Sequence, residues 1–96
     1  MTLEMLNRND PEVLKSLYAY RREVFKEGEL SLREKELIAL ATAIVNKCET
    51  CYEYHANAAL KAGATPRQIL EMEEVVMYMN GPSAMIWSKK IDEYSE

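Results

Sequence analysis

The sequence predicts an all-α protein of about five helices. Three observations carry that prediction. Glycine and proline number only three each in 96 residues, too few for the many turns of an all-β domain. Apolar residues recur at three- and four-residue steps along most of the chain. Helix-start signals stand where those apolar runs begin.

The elements follow in order. Asp10 before Pro11 is an N-cap with proline at the first helical position. Leu14, Leu17, Tyr18, Val24 and Phe25 then form a stripe, and Gly28 closes the segment. Ser31 and Glu34 have the form of a capping box, in which each side chain reaches a backbone N–H at the other's position. Leu37, Leu40, Ala41, Ile44, Val45 and Cys48 form the next stripe. A third helix over 49–62 carries Ala56, Ala58, Ala59 and Leu60 and stops at Gly63. Thr65, Pro66 and Gln68 repeat the capping-box pattern with proline in place. The helix they start runs to Gly81-Pro82 and is apolar on more than one face. Ile69, Met72, Val76 and Met79 make one stripe, with Leu70 and Met77 off it. Such a helix is either the centre of the core or a subunit interface. A last helix is expected over 83–94, presenting Met85, Ile86, Trp87 and Ile91. No repeat, low-complexity tract or linker divides the chain, so residues 1–96 read as a single domain.

Composition excludes some functions. A chain this short buries only about 60–65% of the surface its unfolded form exposes, so its core is marginal alone. Twelve basic against 16 acidic residues give a net charge of −4, which argues against nucleic acid as a partner. No apolar run approaches the roughly 20 residues of a membrane span. The first residues show no basic region followed by an apolar core and cleavage site. The expectation is a cytoplasmic protein with no membrane partner. In a reducing cytosol its two cysteines, Cys48 and Cys51, suggest redox or metal chemistry rather than a structural staple.

Chemistry concentrates in Cys48-Glu49-Thr50-Cys51-Tyr52-Glu53-Tyr54-His55. Helix residues three and four apart are neighbours, so Cys48, Cys51 and the chain's one histidine, His55, share a face. A disulfide between such cysteines is sterically reachable at a helix start. A thiol there is acidified by unpaired N–H groups, which favours Cys48 as the acidic thiol. A histidine four residues on can take a proton from Cys51 and later return it, which favours Cys51. Glu36 lies 12 residues before Cys48, about 18 Å away on one unbroken helix. It reaches the site only if the chain reverses near 45–47 and the next helix packs back. It would then face His55 and orient the imidazole or hold a relaying water.

Glu36, eleven intervening residues, then Cys48-X-X-Cys51-X-X-X-His55 resembles the signature of the carboxymuconolactone decarboxylase-like family, in its alkylhydroperoxidase D-like branch. The stretch EKELIALATAIVNKCETCYEYHANAALKAGAT is similar to that family's central helical hairpin, and the clear match covers residues 32–65. The resemblance implies an alkylhydroperoxidase D-like helical fold that assembles into trimers or hexamers. It implies a redox-active Cys48–Cys51 disulfide and no other cofactor. Carried over, Cys51 is the peroxidatic nucleophile, Cys48 resolves the sulfenic acid, His55 is the base and Glu36 belongs to the proton relay. The substrate would be a small peroxide or disulfide, the reductant a dithiol partner, and the entrance an apolar pocket. Thr50 departs from the branch, whose best-characterised type has a histidine just before the second cysteine. A hydroxyl hydrogen-bonds but is no base near neutral pH, which weighs more against peroxidase activity than against disulfide exchange.

Two rival functions accompany this reading. The first is a carboxymuconolactone decarboxylase-type lyase, whose chemistry needs no cysteine pair. The second is a non-enzymatic structural or metal-binding oligomer, with zinc on two thiolates, an imidazole and a fourth ligand from Glu36, water or another subunit. Tyr52 and Tyr54 read as packing residues, the six methionines as gap-filling core, and Lys89-Lys90 as a solvated face.

Overall fold

The computed structural model describes residues 2–81, in which five α-helices and no strand occur: α1 (Leu3–Asn9), α2 (Pro11–Phe25), α3 (Leu32–Val45), α4 (Glu49–Lys61) and α5 (Pro66–Asn80). The helix expected over 83–94 lies outside the described residues. In its stead the count includes α1, which the sequence did not announce. It is one short helix with no buried residue, held at its start by the Thr2 hydroxyl accepting from Met5 N–H. Its short run has no apolar stripe to betray it.

Each later helix begins where local chemistry places it. Asp10 occupies the N-cap of α2 with Pro11 behind it, but its side chain makes no capping hydrogen bond. Its backbone N–H instead closes α1 on Leu6 O at 2.7 Å. That helix ends at Phe25, short of Gly28, because Lys26 turns to an extended conformation. Lys35 Nζ then ties the end of α2 to α3, donating to Val24 O at 2.8 Å and Lys26 O at 2.6 Å. Both capping boxes form: Ser31 with Glu34 before α3, Thr65 with Gln68 before α5. The Ser31 backbone N–H, and then its hydroxyl, hold the Glu34 carboxyl below its ordinary range.

The core lies between α3, α4 and α5. Leu40, Tyr52, Ala56 and Ile69 are fully enclosed, with Ala43, Ile44 and Val76 beside them. Each large apolar side chain buried this way contributes roughly 1.5–3 kcal/mol. The helix α5 is buried on one face and exposed on another. Ile69 and Val76 enter the core, while Val75, Tyr78 and Met79 are exposed. Only Leu14 of α2 is buried, so that helix rests its stripe against the site rather than in the core. Among the described residues no helix is long and apolar enough to cross a membrane.

Candidate functional site

The reversal that the site requires is made by the backbone at the end of α3. Cys48 N–H donates to Ala43 O and Lys47 N–H to Ile44 O, each at 3.0 Å. These paired bonds are a Schellman motif, with Lys47 left-handed at φ 54° where glycine is usual. The last residue of that motif, Cys48, is also the N-cap of α4. One residue therefore stops one helix and starts the next, and α4 folds back along α3.

That return brings Glu36 of α3 to His55 of α4. His55 Nδ1 lies 2.7 Å from Glu36 Oε2, with the carboxylate side chain 8% exposed and the imidazole 20%. A carboxylate only accepts, so Nδ1 carries a proton here, and in the neutral imidazole Nε2 keeps the lone pair. Phe25 stacks on the imidazole with ring centroids 5.8 Å apart and planes 21° from parallel. Tyr54 meets it edge-on at 5.0 Å and 82°. Three side chains from three helices thus fix the ring.

Cys48 and Cys51 are joined as a disulfide with their Cα atoms 5.3 Å apart, inside the usual range for such bonds. Cys51 N–H donates to Cys48 Sγ at 3.3 Å, and Thr50 Oγ1 lies 3.6 Å from the same sulfur. Cys48 is half-buried and Cys51 exposed. Cys51, His55 and Thr50 line a cleft of about 680 Å³ whose other wall is α2. Among the described residues no group of three or more His, Cys, Asp or Glu side chains is placed to hold a metal ion.

The structure adds residues that sequence reasoning missed. Tyr54 is a cleft residue, 52% exposed, rather than a packing residue, whereas Tyr52 is fully buried as expected. Arg21 lays its guanidinium over the Tyr54 ring, 4.4 Å from the centroid. A signal for Arg21 existed: it falls within the helical stripe of Leu17, Val24 and Phe25, where an apolar residue would be expected. Glu73 of α5 is fully enclosed in the core; its signal was register, for it falls four residues after Ile69 and three before Val76, on the stripe that enters the core.

The chain is similar in sequence and fold to known proteins. A protein of the cox locus of Paracoccus denitrificans is 39% identical over 72 residues, 75% of this chain and 65% of that protein. The chain thus spans about two thirds of the length of that relative. A protein of Cupriavidus necator is 31% identical over 87 residues, 90% of this chain and 77% of its own. Both relatives are uncharacterised. The crystal structure of a carboxymuconolactone decarboxylase family protein from Legionella pneumophila superposes with a TM-score of 0.86 at 26% identity, covering 98% of this chain and 88% of that one. The model of the carboxymuconolactone decarboxylase family matches residues 11–92. With its helical hairpin, its cysteine pair and that match over most of its length, the chain belongs to the carboxymuconolactone decarboxylase family.

Proposed function

We propose that the protein is a thiol-dependent peroxidase or disulfide reductase of the alkylhydroperoxidase D-like type, working through Cys48 and Cys51. The observation that carries this reading is an exposed Cys51 in the same cleft as an imidazole whose Nδ1 is held by buried Glu36 at 2.7 Å. In the reduced protein, His55 Nε2 takes the Cys51 proton, and the thiolate attacks the outer oxygen of a hydroperoxide. The O–O bond breaks, the alkoxide takes the proton from the imidazolium and leaves as an alcohol, and Cys51 becomes a sulfenic acid. Cys48 then attacks that sulfur. The S–S bond forms, the S–O bond breaks, and water departs with the Cys48 proton. A dithiol partner reduces the disulfide to two thiols and leaves as its own disulfide. A disulfide substrate would enter by the same exchange chemistry.

Thr50 offers a hydroxyl near Cys48 but no base, so proton transfer falls to His55 and Glu36. Exposed apolar residues of α5 outside the cleft, such as Val75 and Met79, support assembly with further copies of the chain, as a trimer or hexamer. The chemistry is one of the cytoplasm, where dithiol reductants keep such pairs cycling.

The test is peroxide-dependent oxidation of the purified dithiol protein, read by mass spectrometry after thiol alkylation. One hydroperoxide should consume both thiols of a chain, and a small dithiol should restore them. Cys51→Ser should abolish turnover. Cys48→Ser should stop at a sulfenic acid that dimedone traps. Thiols that survive excess peroxide and disulfide would sink the reading. A Cys48→Ser/Cys51→Ser variant that keeps full activity on a lactone would replace it with a lyase.

A further inference from the structure

The cleft at Cys51 has a chemical character of its own. Leu3, Leu17, Val24 and Phe25 on one side face Tyr54 and Cys51 on the other, so its wall is largely apolar. One cationic side chain, Arg21, lines it, and among the described residues no Asp or Glu does. This is notable in a chain of net charge −4. The guanidinium lies over the Tyr54 ring face, 4.4 Å from its centroid, a contact that leaves its N–H edge able to donate to an anion. Arg21 is half-buried, so water and salt screen it less than a surface charge.

Position relates that cation to the reacting sulfur. Tyr54 follows Cys51 by three residues in α4, so their Cβ atoms lie about 5–6 Å apart on one face. Arg21 covers the same tyrosine from α2. Arg21, Tyr54 and Cys51 thus border the same cleft, with Tyr54 in contact with Arg21 and one helical step from Cys51.

Resting on the peroxidase reading above, we infer that the preferred substrate is an organic hydroperoxide with an apolar body and a carboxylate, the carboxylate held by Arg21. An apolar chain gains from leaving water along Leu17, Val24 and Phe25. The carboxylate accepts two parallel N–H bonds from the guanidinium, a geometry that lysine does not reproduce. The chemical step is unchanged: the hydroperoxide gives its outer oxygen to Cys51 and leaves as the hydroxy acid. Arg21 acts by positioning.

The experiment compares the oxidation rate of the dithiol protein by a fatty-acid hydroperoxide whose hydroperoxide group stands only a few carbons from its carboxylate, the methyl ester of that acid, and tert-butyl hydroperoxide. All are used below micelle-forming concentrations. In the unaltered protein the acid should react at least about tenfold faster than its ester, the equivalent of about 1.4 kcal/mol. The acid-to-ester ratio should fall towards one in Arg21→Gln and be retained in part in Arg21→Lys. Because the ratio is taken within each variant, a general loss of activity does not mimic the effect. Equal rates for acid and ester, with tert-butyl hydroperoxide still reacting, would overturn the role of Arg21 and leave the peroxidase reading standing. So would a preference that survives Arg21→Gln. Failure of all three hydroperoxides would overturn both.

Discussion

Replacing Glu73 with glutamine should flatten the response of folding stability to pH. Glu73 is enclosed in the core, fully shielded from solvent. Neither carboxylate oxygen has a hydrogen-bond partner within ordinary distance among the described residues. Burial pushes its carboxyl from 4.5 up to about 7, against the opposing influence of the Tyr52 hydroxyl nearby. A carboxyl whose proton is bound more tightly in the folded chain favours folding most at low pH. That contribution is complete below 4.5, declines as pH rises through about 7, and is gone above it. At about 1.4 kcal/mol for each tenfold change in proton affinity, the loss across this window is about 3 kcal/mol. Glutamine matches the shape and does not titrate. Urea unfolding followed by far-ultraviolet circular dichroism, at fixed protein concentration and at pH 5, 6, 7 and 8, measures the difference. The gap between variant and parent should widen in favour of Glu73→Gln by about 2–3 kcal/mol between pH 5 and pH 8, the remainder of the loss falling below pH 5. Other titrating groups are common to both proteins and cancel. Parallel stability curves over that range would refute the assignment of this carboxyl as the group that senses pH.

Three further outcomes follow from particular contacts. Glu36→Ala leaves His55 Nδ1 without its acceptor, so unfolding free energy should drop by about 1–3 kcal/mol, and alkylation of the reduced Cys51 at pH 7 should slow. An unchanged alkylation rate would remove Glu36 from the relay. Lys47→Gly places the residue suited to a left-handed backbone at φ 54°. It should raise stability by about 0.5–1 kcal/mol and the melting temperature by a few degrees; a lower melting temperature would contradict this. Thr65→Ala removes the hydroxyl that accepts from Gln68 N–H at 3.1 Å and should cost about 1 kcal/mol in thermal unfolding.

Much of the fold is written locally. A capping residue and the backbone N–H it satisfies lie within four positions, so Ser31, Thr65 and their boxes are legible without a partner helix. Cysteines three apart and a histidine four further on share a helix face by the same short-range geometry. The end of α2 was harder to place, because Lys35 holds it from the following helix. The short α1 leaves no periodic trace in the sequence, because its cap stands before a run with nothing buried.

The sequence by itself determined where helices start, and that two sulfurs and one imidazole stand together on one of them. Hydrogen bonds closing over a few residues decide those matters, whatever the rest of the chain does. Only the packing of helices decided that Glu36 meets His55, that Phe25 and Arg21 border the cleft, and that Glu73 loses its water. Each depends on which faces of distant segments are brought together, and that is set by the summed burial of the whole core.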